Sequence, residues 1–181
     1  MRKRYLYIFL FFLAFGLNAQ SVAFKKQLDS IHKLRKLSED YELNLETRIN
    51  YAKQAVVLSR KTDVDSIILN SNNDLAWVYT EDIKYFEASK KILYKSLKLA
   101  NKSKDSFNLA YINRLLGYIH QVAGEKNDSA YYYYYNALKY FKNASFSKMG
   151  KHKISQANIY NNIANLQKAE QDYLGSQTTI I

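Results

Sequence analysis

At 181 residues the chain lies within the range of one domain, and 48% hydrophobic with 24% charged residues is the composition of a folded protein, not a disordered one. It has no proline, only five glycines and no cysteine, which favours uninterrupted helices and excludes disulfides, cysteine nucleophiles, cysteine-ligated zinc and thioether-linked lipid anchors. The formal net charge is +11, but the lysines are scattered along the chain rather than gathered in a block. That pattern belongs to solvated helix faces more than to a nucleic-acid stripe.

Residues 1–19 read as an export segment. Arg2, Lys3 and Arg4 form a positive start, Tyr5–Leu17 an apolar run, and Ala19 offers a small residue before a cleavage site at Gln20. The apolar run is shorter than the roughly 20 residues needed to span a bilayer; an uncleaved N-terminal anchor is the alternative. Residues 20–181 carry 24 basic and 16 acidic side chains, a net of +8. The expected location is the periplasm or cell envelope.

The remaining chain is all helical in pattern. Phe24, Leu28, Ile31 and Leu34 mark one amphipathic helix over Ser21–Ser38. Ile49, Ala52, Ala55, Val56 and Leu58 mark a second over Leu45–Lys61, with Glu39–Glu42 as the loop between. This pair, residues 20–62, reads as a degenerate hairpin capping a stack. An internal repeat follows. Leu75-Ala76 returns as Leu116-Gly117 and Leu97-Lys98 as Leu138-Lys139 by the same step, while Ala55, Ser96 and Ala137 keep that step twice. The period, about 41 residues, is that of a two-helix repeat. Two repeats therefore occupy 63–101 and 105–143. A third, incomplete one occupies 151–181, where Ile163-Ala164 falls slightly later than the step from Leu116-Gly117 requires, the excess lying in a loop over Asn143–Lys151.

Within each copy the residues form a signature. The first helices read Asn72-x2-Leu75-Ala76-x2-Tyr79, Asn113-x2-Leu116-Gly117-x2-His120 and Tyr160-x2-Ile163-Ala164-x2-Gln167. The second helices read Ala88-x3-Ile92, Ala130-x3-Tyr134 and Ser176-x3-Ile180, with turns at Lys84-Tyr85 and Asp172-Tyr173. This resembles the tetratricopeptide repeat: an aromatic, Leu-Gly and Tyr on one helix, then Ala-x3-aromatic on the next. The chain departs from that pattern where asparagine twice replaces the leading tryptophan and where the closing proline is missing. A HEAT-type stack has a similar period but leaves the Leu-small-x2-Tyr signature unexplained. The resemblance implies an all-α, right-handed solenoid of antiparallel helix pairs. The small residues Ala76, Gly117, Ala164, Ala88, Ala130 and Ala137 are expected where helices cross closely. The chain ends about two turns into the last expected helix, as an interrupted product would.

The resemblance also places the first helix of each repeat along a concave groove. The positions carried over are Asn70, Asn73, Trp77, Thr80 and Glu81; then Tyr111, Arg114, Tyr118, Gln121 and Val122; then Asn158, Asn161, Asn165 and Lys168. Amides there would hydrogen-bond an extended peptide and aromatics would pack its side chains. The expected partner is thus a protein or peptide, with no nucleic acid and no small-molecule substrate. Exported chains of this kind often continue into a membrane helix and a histidine kinase or helix-turn-helix regulator, which implies a sensor role; a free-standing envelope scaffold is the other possibility.

No residue pattern points to catalysis or a cofactor. His32, His120 and His152 have no partners at metal-ligand spacing, and there is no Gly-rich phosphate loop or G-x-S-x-G elbow. His120, in the signature Tyr position, is expected to be packed. Tyr131–Tyr135 point in all directions around a helix; Tyr131 and Tyr134 are expected in the core, and the others toward solvent or a partner.

Overall fold

A computed structural model describes the backbone of residues 2–124, 127–143 and 156–178, and the side chains of 20–124, 127–141 and 157–171. Among the described residues there are seven α-helices and no strand: α1 (Arg2–Ser38), α2 (Leu45–Arg60), α3 (Asp65–Tyr79), α4 (Phe86–Lys102), α5 (Ser106–Val122), α6 (Asn127–Asn143) and α7 (Gln156–Thr178), with a 3-10 turn at Ile83–Tyr85 before α4. Helix α1 runs unbroken through the expected cleavage site at Gln20. Among the described residues no helix is long and apolar enough to cross a membrane.

The step read from the sequence reappears in the helix frame. Helices α2, α4 and α6 begin at Leu45, Phe86 and Asn127, evenly spaced. The same interval separates the starts of α3 and α5, at Asp65 and Ser106, and the ends of α4 and α6, at Lys102 and Asn143. Local chemistry sets these boundaries. Asn44 and Asp105 cap α2 and α5 by accepting from the backbone N–H groups of Thr47 and Asn108, at 2.9 and 3.0 Å. Helix α4 closes on a pair of backbone bonds, Asp105 N to Ala100 O and Lys104 N to Asn101 O. That arrangement puts Lys104 in the left-handed region at φ 52°, a position that glycine normally fills. Gly124 fills it after α5, at φ 66°.

Each helix packs on its neighbours in chain order, and α3 also touches α1 and α5, as α5 touches α7. Leu75 packs with Ile49, Ala52 and Val56 of α2, Leu116 with Leu93 and Ala100 of α4, and Ile163 with Ala130 and Tyr134 of α6. So each signature residue shares a buried cluster with residues of the preceding even-numbered helix. The small residue beside it faces the other way. A Cβ built on Gly117 would sit 2.6 and 2.7 Å from the Cδ1 and Cε1 atoms of Tyr134, so glycine there lets α6 lay a tyrosine ring directly on the α5 backbone. At the matching place α3 presents Ala76, whose carbonyl accepts from Ser89 Oγ at 2.9 Å.

Three expectations are corrected. On α4 the close-packed positions are Ser89 and Leu93, both fully buried, while Ala88 and Ile92 are only partly so; the repeat frame is one residue later than the Ala-x3-aromatic match implies, because serine does the work of alanine at the crossing. The expected turn at Asp172-Tyr173 does not form: α7 continues through it to Thr178. Ala164, expected at a helix crossing, is exposed, since α7 turns Ile159, Ile163 and Leu166 toward α5 and α6 and no eighth helix faces its other side among the described residues. Most of the expected Asn143–Lys151 loop, and Ile180, lie outside the described residues.

The tyrosine run divides as its helical spacing requires. Tyr134 is buried, Tyr131 and Tyr133 are partly buried, and Tyr132 and Tyr135 are 64% and 56% exposed. Tyr134 is held by donating its hydroxyl to Gln121 Oε1 at 2.6 Å, and its burial raises its pKa well above the usual phenol value. His120 is buried and stacks on Tyr133 at 5.1 Å. Tyr131 and Asn127 both donate to the Glu170 carboxylate at 2.9 Å, tying α6 to α7.

Candidate functional site

The residues carried over from the repeat pattern lie on the odd-numbered helices or, for Thr80 and Glu81, just past the end of α3, but tertiary contacts divide them sharply. Several are consumed by the fold. Asn73 is buried, and its amide donates to Asn108 Oδ1 at 2.6 Å, joining α3 to α5. Thr80 is buried and donates to the Trp77 carbonyl at the end of α3. Glu81 takes both terminal nitrogens of Arg48, at 2.6 and 2.7 Å. Gln121 accepts from Tyr134. These four amide, hydroxyl and carboxylate groups are thus engaged by bonds within the chain.

Arg48 shows why Glu81 is needed. It stands on α2 in the frame position of Ser89 and Ala130, where the other helices carry a small residue. Its side chain is 3% exposed, donates Nε to the Ser38 carbonyl at 2.9 Å and lies 4.1 Å from the centroid of the Tyr41 ring. Burial disfavours the charge, but the Glu81 carboxylate outweighs that and holds the guanidinium pKa above its ordinary value.

Other residues converge. The Arg114 guanidinium lies between Trp77 of α3 and Tyr111 of α5, 5.4 and 5.3 Å from the two ring centroids, within reach of cation–π attraction to both. Trp77 Nε1 donates to Tyr41 Oη at 3.3 Å. A ladder of cations and rings, Arg48, Tyr41, Trp77, Arg114 and Tyr111, therefore crosses from α2 and the α1–α2 loop to α5. Beside Tyr111 a small recess is lined by Arg35, Asn70, Asn73, Asp74 and Phe107, with Arg35 ion-paired to Asp74. Its water-accessible room is about 10 Å³, enough for about one water molecule and far below the several hundred Å³ of a small-molecule pocket. Burial raises the Tyr111 pKa well above the usual phenol value, partly countered by Arg114.

Tyr118 is half-buried and Val122 exposed on α5, while Asn161, Asn165 and Lys168 are exposed on α7 and Asn158 is half-buried there. None of these joins the ladder. Sequence reasoning missed Arg35, Tyr41, Asp74 and Phe107. Tyr41 sits in an acidic loop outside any periodic pattern, and Arg35 occupies the frame position of Ala76, where a small residue is expected. Among the described residues no cluster of histidine, aspartate and glutamate has the arrangement of a metal site.

Compared with protein-family models, with curated proteins and with solved structures, the chain finds no match.

Proposed function

We propose that this chain is a tetratricopeptide-like helical-repeat module, exported from the cytoplasm, which docks an extended segment of another protein along its odd-numbered helices. The observation that carries the reading is the contact of α1 with α3, α3 with α5, and α5 with α7. Among the described residues the backbones of α2 and α4, and of α4 and α6, do not approach each other in the same way, although Tyr133 on α6 donates its hydroxyl to Tyr94 on α4 at 3.3 Å. A stack whose odd layer is closer together than its even layer curves, with the odd layer inside. The even spacing of the helix starts and the repeated leucine contacts support a solenoid built from these pairs.

The inner face then carries the Trp77–Arg114–Tyr111 ladder. Rigid aromatic area and an arginine are the residue types that anchor protein interfaces. The small recess beside them suits a water or a side-chain tip, so recognition works over a surface and not in a cavity. In an exported chain of this kind, docking on that face serves as the sensing step of a signalling protein.

The test is to select peptides on the purified protein and map them by hydrogen exchange. Protection concentrated on α3 and α5 is expected. Protection confined to α2, α4 and α6 overturns the assignment of the docking face. Export is tested separately by N-terminal sequencing of protein secreted from a bacterial host, which is expected to begin at Gln20; a chain retained in the cytoplasm refutes it.

A further inference from the structure

Three arginines approach this face, and two have carboxylates: Arg35 pairs with Asp74, and Arg48 with Glu81. The third, Arg114, forms no ion pair with any described residue. Its Nε is buried without a hydrogen-bond partner, yet the residue keeps partial exposure. Trp77 and Tyr111 flank the guanidinium, and the Tyr111 hydroxyl is near enough to accept from it, but neither supplies a carboxylate and Nε remains without an acceptor. Arginine stays charged at any physiological pH, and its fork matches a carboxylate bidentately. Glu39, at the end of α1, is near enough to act on Tyr111 but does not pair with Arg114.

We infer that Arg114 is the specificity-determining residue of the docking face, receiving an aspartate or glutamate side chain of the bound segment while Trp77 and Tyr111 pack its neighbours. This rests on the docking reading above and adds the class of partner: an acidic segment carrying apolar flanks. Charge complementarity argues for that occupant. The chain is net basic at +11, and Asp74 and Glu81, two carboxylates beside the ladder, are already paired with Arg35 and Arg48. An incoming carboxylate completes the only unpaired cation of the three.

The test uses full-length protein and four pools of random eight-residue peptides, all C-terminally amidated, with one central position fixed as Asp, Glu, Asn or Gln. Trp77 is the single tryptophan and touches Arg114, so its emission reports occupancy directly. The acidic pools are expected to bind about tenfold more tightly than their amide twins, equivalent to about 1.4 kcal/mol, and to lose that margin at high salt. Arg114→Gln is expected to bring the ratio to about one. Should that variant fail to fold, the salt dependence of the ratio in the unaltered protein decides in its place. Binding without an acidic preference overturns this inference and leaves the docking face standing. A preference seen only when the C-terminus is left free also overturns it, by assigning the carboxylate to the chain end. Failure of every pool to bind removes the docking reading and this inference together.

Discussion

Substituting Gly117 by alanine tests how the repeats are held together. The new Cβ would meet the Tyr134 ring at 2.6 and 2.7 Å, against about 3.5 Å for ordinary carbon contact, so the ring must retreat by about 0.9 Å. It has nowhere to go: Tyr134 is fully buried and its hydroxyl is anchored on Gln121. With no room for the ring to yield, the cost falls in the upper part of the usual overpacking range, about 2–3 kcal/mol, while replacing a mid-helix glycine by alanine returns about 1 kcal/mol of helix propensity. The net expectation is a loss of about 1–2 kcal/mol, at about 2–4 °C of Tm per kcal/mol for a chain of this size. The preceding repeat supplies the control, because there the matching pair is Ala76 and Leu93, both fully buried in one cluster. G117A/Y134L rebuilds that pair. In a double-mutant cycle read by thermal and urea unfolding, G117A should therefore destabilise the unaltered protein and stabilise the Y134L background. A G117A substitution that is neutral or stabilising with Tyr134 in place, or equal in both backgrounds, refutes the close-approach reasoning.

Glu81→Ala should cost about 2–3 kcal/mol by urea unfolding, because it strands the Arg48 charge in the interior; a loss under about 0.5 kcal/mol, the range of ordinary surface substitutions, would make Glu81 a surface group after all. Lys104→Gly should raise stability by about 1 kcal/mol by removing a side chain from a left-handed backbone position, and Gly124→Ala should lower it by a similar amount; thermal melts check both. Tyr131 should ionise late. Burial and its bond to Glu170 push its pKa from 10.0 to about 12, so the folded state favours the neutral phenol. That contribution is fully present below pH 10 and is lost as pH rises from about 10 to about 12, by linkage. Ultraviolet titration of the unaltered protein against Tyr131→Phe should show one late-titrating tyrosine missing from the variant.

Which residues the sequence assigned correctly follows from the range of the interactions involved. Leu75, Leu116 and Ile163 were identifiable as core positions because burial on one side of a helix repeats every three or four residues. Tyr131 and Tyr134 were identifiable as inward-facing members of the tyrosine run for the same reason. Ala88 was one residue out because serine at position 89 fills a crossing as well as alanine does, a substitution that composition-based patterns do not rank. The turn at Asp172-Tyr173 failed because that dipeptide is compatible with helix, and nothing local obliges α7 to stop there.

By itself, then, the sequence determined that the chain is helical, since that depends on contacts between near neighbours, and the step it suggested reappears in the starts of α2, α4 and α6. Only the tertiary structure decided which polar groups on the odd-numbered helices remain available. Asn73 and Glu81 find their partners 35 and 33 residues away, and Arg114 lies against a tryptophan on another helix. Whether such groups meet is set by how helices cross and by which side chain reaches across first, and no periodicity along the chain carries that information.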